Sequence, residues 1–281
     1  RVTASKMDEG VYADLAASET LEVNFEDAFH KLAFRFGFGL DDSYLSLDGL
    51  SSGAHGHQDG NAILEYSANQ RIFLTDRDYI EDMPQHHSGI VIVKDGLQPD
   101  KPSLVEVEWV SDAEGTAISR SRVPSYNGTD WDRTIVSPTG SFYIILDELT
   151  FKEDGEYLLQ NLWQSLGDAS IHQDKFEVEQ QGVSMRLQSL DESELRIHER
   201  YGHFQKYWKG EYKYPFADAE PILSEVKQEA FYQSGDQSEF INVLSSHKNG
   251  ELSVTARRVN ENTVSIREGR QGWLAVKGAM D

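Results

Sequence analysis

Short runs of strand length, separated by turn residues, are the feature that most constrains the fold of this chain. Apolar and polar residues alternate at residues 34–38 and again at residues 104–110, which is the period of a strand with one buried face. Similar runs recur as far as residue 276, and Gly, Asp and Asn residues punctuate them. This pattern predicts an all-β fold, namely a large antiparallel β-sandwich.

The first 33 residues carry the weakest pattern. Residues 8–17 fit a short helix, and residues 24–32 fit another helical turn or two. We therefore expect a lead-in segment at residues 1–33 with little helix, followed by a β-sandwich domain at residues 34–281. A sub-boundary near residues 168–174 would divide this sandwich into two halves.

The composition excludes several classes of function. The chain has 48 acidic and 26 basic residues, which gives a formal net charge of -22. Nucleic acid requires a basic face, and an anionic membrane surface repels an acidic protein, so we expect neither as a partner. No apolar run reaches the length of a membrane span. The chain has no cysteine, which excludes disulfides and thiolate metal sites.

Imidazole and carboxylate groups are concentrated between residues 44 and 96, in loops that separate apolar runs. They belong to His55, His57, Asp59, Asp76, His86 and His87. Two imidazoles and a carboxylate suit zinc or another borderline divalent ion. The spacing therefore predicts a metal site on a sheet, provided that three of these groups converge. The alternative interpretation is a set of ordinary Gly- and Ser-rich loops that happen to contain histidines.

An aromatic and basic stretch occupies residues 201–216, which read YGHFQKYWKGEYKYPF. Its rings are suited to capping the sandwich, because aromatic side chains supply much of the buried mass of cores. They are equally suited to forming one wall of a sugar-binding cleft, where rings stack on pyranose faces and lysines meet carboxylates. The sequence leaves both interpretations open.

Residues 34–96 resemble the heparinase II/III-like family of polysaccharide lyases. The matching segments read YLSLDG, GAHGHQDGNAIL, IFLTDRDY and HHSGIVIVKDG. The later segments GTDWDRTIV, FYIILDELT and DGEYLLQNLWQSLG look like the sandwich strands of these proteins. The resemblance covers about residues 34–167 and implies that the chain is the C-terminal β-sandwich part of such a lyase.

The resemblance also implies a set of metal ligands. His57, Asp76 and His87 match the zinc ligands of the family, with His86 as the alternative third ligand. Asp59 matches a residue that supports the ligands or shapes the loop rather than binding the ion. The expected cofactor is one zinc ion with a mainly structural role.

Two further residues are implied as catalytic. His55 matches a histidine placed next to the reacting uronic acid. Tyr79 matches a tyrosine that packs near the loop that carries the metal ligands. The implied reaction is cleavage of an anionic, uronic-acid-containing polysaccharide by β-elimination, in a secreted or periplasmic protein. Members of the family carry an α/α toroid domain ahead of the sandwich. Nothing in residues 1–33 matches it, so we expect the toroid elsewhere in the same or another chain.

Two other classes of function stay open. A non-catalytic carbohydrate-binding or assembly sandwich would bind glycan without forming an unsaturated product. A metal-dependent oxygenase or hydrolase on a β-barrel would also use an H-x-H pair, a carboxylate and a later histidine. That third interpretation predicts iron or manganese and an open coordination position.

Overall fold

The computed structural model describes most of the chain. The described residues are 1–52, 57–76, 83–113, 115–199, 219–249, 251 and 254–278. Within them the chain forms twenty β-strands and one α-helix. The strands pair in antiparallel fashion into four sheets, none of which closes into a barrel among the described residues. The predicted all-β antiparallel sandwich is therefore confirmed.

The elements follow one another in a regular order. Those of the first half are β1 (Val2–Lys6), α1 (Glu9–Ser18), β2 (Phe29–Arg35), β3 (Tyr44–Asp48), β4 (Ile63–Ala68), β5 (Arg71–Thr75), a 3₁₀ turn (Pro84–His86), β6 (Ile90–Lys94), β7 (Glu106–Ala113), β8 (Thr116–Tyr126), β9 (Thr129–Ser137) and β10 (Phe142–Phe151). Those of the second half are β11 (Gly155–Gln164), β12 (Asp168–His172), β13 (Lys175–Gln180), β14 (Val183–Ser189), β15 (Glu194–His198), β16 (Ile222–Tyr232), β17 (Gln237–Lys248), β18 (Thr255–Asn260), β19 (Thr263–Glu268) and β20 (Gln271–Val276).

The four sheets differ in size and in how their strands are ordered. The five-stranded sheet has the order β1-β2-β3-β4-β5, and the eight-stranded sheet has the order β12-β13-β14-β17-β10-β9-β8-β7. The four-stranded sheet has the order β15-β16-β11-β6, and the three-stranded sheet is β18-β19-β20. The eight-stranded sheet mixes strands from early and late in the chain, so it ties the two halves together.

The eight-stranded sheet is the central layer of the molecule. The largest core lies between one of its faces and the five- and four-stranded sheets, with fully buried rings such as Tyr66, Trp131 and Tyr157. A second, smaller core lies between its other face and the three-stranded sheet. There the rings of Phe142 and Trp273 meet edge to face, with centroids 5.1 Å apart. Burial of these apolar faces is the main force that holds the layers together.

The N-terminal segment folds partly as predicted. Helix α1 begins after Asp8, whose carboxylate accepts hydrogen bonds from the backbone N–H groups of Gly10 and Val11 at 2.8 and 3.1 Å. This is the usual way in which an Asp satisfies the first free donors of a helix. Among the described residues, no helix is long and apolar enough to span a membrane.

The helical turns expected over residues 24–32 are wrong for the second half of that range. Strand β2 begins at Phe29 and pairs with both β1 and β3. Phe29, Leu32 and Phe34 are buried in the main core. Burial of these side chains outweighs the weak local preference of the segment, as tertiary packing commonly does for short elements.

The five- and four-stranded sheets meet at one edge. The backbone N–H of Ile63, at the start of β4, donates to the carbonyl of Ser88 at 2.8 Å. Leu74 in β5 forms an isolated bridge with Ser165, directly after β11. This junction brings the loop before β4, the end of β5 and the residues before β6 to one place.

Candidate metal site

The loop that carries His57 and Asp59 is organised around Ser51. The backbone N–H groups of His57 and Gln58 donate to the Ser51 carbonyl at 3.2 and 3.0 Å. The N–H of Gly60 donates to Ser51 Oγ at 3.0 Å. A Cβ on Gly60 would lie 2.1 Å from the same oxygen, so a glycine is required for the loop to close this tightly.

Asp76 and His87 approach the loop from the other two elements of the junction. Asp76 directly follows β5, and its backbone N–H donates to the carbonyl of Leu64 at 2.7 Å. His87 follows the 3₁₀ turn, and its side chain is fully buried. Its Nδ1 lies 2.8 Å from Asp76 Oδ1, whereas its buried Nε2 has no hydrogen-bond partner among the described residues. A buried polar atom without a partner is costly, so a ligand at this point would be stabilising.

Three side chains converge closely enough to bind one ion. His57, Asp59 and Asp76 each offer a ligand atom within 4.8 Å of the others. His57 Nδ1 and Asp59 Oδ2 are 3.8 Å apart. Nitrogen and carboxylate donors of this kind fit zinc and related divalent ions. The structure thus brings the predicted ligands His57 and Asp76 together and places the predicted ligand His87 against Asp76.

The electrostatics of the cluster favour a bound cation. Burial, together with the nearby carboxylates of Asp48 and Asp76, raises the pKa of Asp59 to about 8, against the opposing charges of two lysines. Burial also lowers the pKa of His57, which favours the neutral imidazole that a metal requires. Several carboxylates therefore meet in a poorly solvated place, and a divalent ion would offset their repulsion. The residues present fit such an ion.

Lys101 is a buried cation beside this loop. Its Nζ lies 3.4 Å from the Gly60 carbonyl oxygen and 5.2 Å from the centre of the Trp131 ring. Burial lowers its pKa to about 7, although the charge of Asp59 acts in the opposite direction. Sequence reasoning missed this residue, because a lone lysine far along the chain from the histidines gives no signal.

Asn61 connects the loop that carries His57 and Asp59, here named the metal loop, to the core. Its carbonyl accepts a hydrogen bond from Arg133 Nη1 at 2.7 Å, and its side-chain oxygen accepts one from Ser121 Oγ at 2.7 Å. Arg133 is itself paired with Asp147 in the central sheet. Asn61 adopts a left-handed backbone conformation with φ of 61°, which asparagine tolerates better than most residues. In the sequence, the consecutive residues Gly60 and Asn61 were the available indication of a turn at this position.

Three predicted features lie outside the described residues. These are the candidate catalytic residues His55 and Tyr79, and the aromatic and basic stretch at residues 201–216. Their roles stay predictions. The described part of the candidate site consists of the cluster of His57, Asp59 and Asp76, which could hold a metal ion, together with His87 and the residues that support them.

Solved structures with the same fold include known lyases. A mutant of the heparan sulfate lyase HepC from Pedobacter heparinus superimposes with a TM-score of 0.69 at 14% identity, over 92% of this chain and 43% of that chain. A heparinase III structure gives a TM-score of 0.69 at 11% identity, over 89% of this chain and 42% of that chain. A heparinase III gene product gives 0.67 at 13% identity, over 88% and 41%.

These likenesses establish a polysaccharide-lyase-like β-sandwich fold. The resemblance predicted from the sequence is thus confirmed for the fold. This chain spans between 41% and 43% of the length of these neighbours. Comparisons with protein-family models and with curated proteins find no match.

Proposed function

We propose that this chain is the sandwich part of a polysaccharide lyase that cleaves uronic-acid-containing glycans by β-elimination. The observation that carries the proposal is the convergence of His57, Asp59, Asp76 and His87 at the junction of two sheets, in a fold shared with heparan sulfate lyases. The whole protein would be secreted or periplasmic, because a polymeric substrate is degraded outside the cytoplasm.

The reaction defines what the protein must supply. A base removes the C5 proton, the electrons of that bond form the C4–C5 double bond, and the bond from C4 to the glycosidic oxygen breaks. The leaving oxygen then takes up a proton. His55 is proposed to take the C5 proton or to hydrogen-bond the uronate, and Tyr79 is proposed to lie beside the reacting ring. An α/α toroid domain is proposed to complete the cleft and to share the proton transfers.

The described residues are proposed to hold this machinery in place. His57, Asp76 and His87 are proposed to bind one zinc ion, and Asp59 is close enough to be a further ligand. When bound, the ion supplies cross-links between three loops and a positive potential beside the uronate. Ser51 and Asn61 fix the loop that runs from His57 to Asn61.

The experiment uses the full-length protein that contains this chain. Heparan sulfate, chondroitin sulfate, alginate and ulvan are each supplied as substrate, and the unsaturated uronate product is followed by its ultraviolet absorbance. We expect product from at least one polymer, and loss of at least a hundredfold in rate for His55→Ala, about the contribution of a general base. His172→Ala is the matched control, because His172 is exposed on β12, an edge strand of the eight-stranded sheet, whereas the cluster lies beside the five-stranded sheet. Absence of unsaturated product with all four polymers would overturn the lyase proposal.

A second candidate is a non-catalytic carbohydrate-binding sandwich. The likeness to the lyase structures, at 11–14% identity, extends to the fold, and a binding sandwich is compatible with the same fold. This candidate predicts that the full-length protein binds one of the same polymers without forming product. The β-barrel oxygenase or hydrolase has less support, because the sheets of the described residues are open.

A further inference from the structure

The loop between β2 and β3 presents two large apolar side chains to solvent. Phe38 is 90% exposed and Leu40 is 79% exposed. The loop is nevertheless held in shape, because the N–H of Gly39 donates to Asp42 Oδ2 at 2.7 Å. A Cβ on Gly37 would lie 1.9 Å from the same oxygen, so only glycine allows this approach. Exposed apolar side chains on an ordered loop commonly mark a binding surface.

Arg35 lies between two aromatic rings at the base of this loop. Its guanidinium carbon is 5.3 Å from the centre of the Phe38 ring and 4.5 Å from that of Tyr44. The guanidinium has no carboxylate partner among the described residues. The rings therefore orient the guanidinium, whose positive charge stays available to an anion. Such a charge is notable in a chain whose 48 acidic residues outnumber its 26 basic residues.

A groove runs from this stack across the end of the five-stranded sheet. Its volume is about 540 Å³, and Arg35, Phe38, Tyr44, Gln70 and Arg71 are among the residues that line it. The lining combines aromatic faces, an amide and guanidinium groups with the carboxylates of Asp42 and Glu65, and the Asp42 carboxylate already accepts the hydrogen bond from Gly39. Aromatic faces match the C–H faces of a sugar ring, and a planar guanidinium matches a carboxylate or sulfate through two parallel hydrogen bonds.

This groove and the metal site lie at opposite ends of one face of the sheet. Residues directly opposite one another in an antiparallel pair point to the same face. At one end Arg35 is opposite Tyr44, and Tyr44 is opposite Ser67. At the other end Lys31 is opposite Asp48. Tyr44 and Asp48 are the two ends of β3, which is five residues long, so the ends are about 13 Å apart.

The far end of this face adjoins the metal loop directly. The backbone N–H of Asn61 donates to the carbonyl of Asp48 at 2.8 Å. Lys31 pairs with the Asp48 side chain at 2.5 Å and keeps 42% of its own side chain exposed. Between the two ends lie Ser46 on β3, which is buried, and Glu65 directly opposite it on β4, which is partly exposed. Polar residues of β3 and β4 therefore connect the metal site with the groove on this face.

We propose that the groove of Arg35, Phe38 and Tyr44 is an accessory subsite that binds an anionic sugar of a glycan chain extending from the metal site. The proposal rests on the proposed function, since it takes the glycan to be uronic-acid-containing. Phe38 and Tyr44 stack on sugar rings, and Arg35 binds a carboxylate or sulfate. The subsite extends the segment of the glycan that the protein binds. The reacting sugar ring lies at the other end of the sheet face, beside the metal site.

The test compares long and short oligosaccharides with the full-length protein. Isothermal titration calorimetry measures the Kd of heparan sulfate and alginate octasaccharides and of the corresponding disaccharides, all at one fixed salt concentration. We expect Arg35→Ala, which removes a charge-assisted contact, and Phe38→Ala, which removes a stacking ring, each to weaken octasaccharide binding about tenfold. Disaccharide binding is expected to be unchanged.

Two matched variants control for unrelated surface effects. Phe231→Ala removes another exposed phenylalanine, on β16, and Arg257→Ala removes another exposed arginine, on β18. Both are expected to bind the octasaccharides like the wild type. Circular dichroism and the melting temperature verify that each variant is folded.

The outcomes separate this proposal from the proposed function. Equal octasaccharide affinity in the wild type, Arg35→Ala and Phe38→Ala overturns the subsite, even if the protein forms lyase product. Weaker binding in these variants without any lyase product supports the subsite and counts against the lyase. Binding of neither octasaccharide by the wild type overturns the subsite.

Discussion

Arg133 and Asp147 form an ion pair whose two side chains are both completely buried, with Nε and Oδ1 2.7 Å apart. They lie directly opposite each other on β9 and β10. Asp147 also accepts hydrogen bonds from Trp131 Nε1 at 2.8 Å and Asn161 Nδ2 at 3.3 Å. Arg133 donates in turn to the carbonyl of Asn61. One buried network thus joins the central sheet to the loop of the candidate metal site.

Asp147→Asn is expected to be strongly destabilising. The substitution keeps the shape of the side chain but leaves the Arg133 guanidinium buried without its counter-charge. Breaking a buried pair in this way costs about 3–5 kcal/mol. The free energy of unfolding from urea titrations of the wild type and the variant measures this loss.

Arg196→Ala is the matched control for this prediction. Arg196 pairs with Glu194 on the exposed face of β15, and removal of an exposed pair changes stability by less than about 1 kcal/mol. A loss in Asp147→Asn no greater than in Arg196→Ala would contradict the idea that the buried network organises the core.

The sequence predicted those parts of the fold that depend on local pattern. The alternation at residues 104–110 indicated the strand that the structure shows as β7, whereas only Phe34 and Arg35 of the run at residues 34–38 lie in a strand, β2. The convergence of His57 and Asp76 was predicted only through a resemblance to known lyases. Spacing in the sequence could place His57 in a loop before one strand and Asp76 after the next strand, but it could not show that these two strands, β4 and β5, pair in one sheet.

The remaining parts depend on distant contacts. Residues 24–32 appeared helical because the partners of β2, strands β1 and β3, are not visible in the segment itself. Lys101 and Arg133 reach the site from strands and loops far along the chain. The large number of long-range pairings in a sandwich makes such contributions impossible to read from local patterns.

The chain is expected to bind about one divalent ion. Elemental analysis of the purified chain should give about one zinc per chain, which is lost in His57→Ala, because that variant removes one of the three converging ligands. Removal of the metal with a chelator should lower the melting temperature by several degrees, since an ion that binds only the folded state stabilises it.

His172→Ala is the control for metal content, since His172 is exposed and interacts only with Ser170 among the described residues. An unchanged melting temperature after complete chelation would count against a structural role for the ion. Equal metal content in the wild type and His57→Ala would exclude His57 as a ligand.

Gly60→Ala is expected to disturb the metal loop. The new Cβ would lie 2.1 Å from Ser51 Oγ and 3.0 Å from Val105 Cγ2, so the loop must shift. Overpacking of this kind costs about 1–3 kcal/mol, and we expect weaker zinc binding in a competition assay with a coloured chelator. In the control Gly272→Ala the nearest atom lies 3.6 Å away, so stability and zinc affinity should be unchanged. Wild-type zinc affinity in Gly60→Ala would show that the loop does not depend on this close approach.

Glu225 is a fully buried acid on β16, remote from the metal site. Burial raises its pKa to about 8, and the carboxylates of Asp191 and Asp147 act in the same direction. The amide of Asn242, which donates to Glu225 Oε2 at 3.2 Å, and the charge of Lys227 oppose the shift. Glu225 is therefore protonated in the folded protein at neutral pH and ionised in the unfolded chain.

This difference makes the stability depend on pH. Between the ordinary pKa of 4.5 and the folded value of about 8, the folded protein holds one more proton than the unfolded chain, so the free energy of unfolding falls as the pH rises. We expect the wild type to lose up to a few kcal/mol relative to Glu225→Gln across this range, as measured by urea unfolding at a series of pH values. The control Glu229→Gln, exposed on the same strand, should keep the wild-type slope. Parallel pH profiles for the wild type and Glu225→Gln would mean that Glu225 is ionised in the folded protein and is stabilised by a cation or by water in the core.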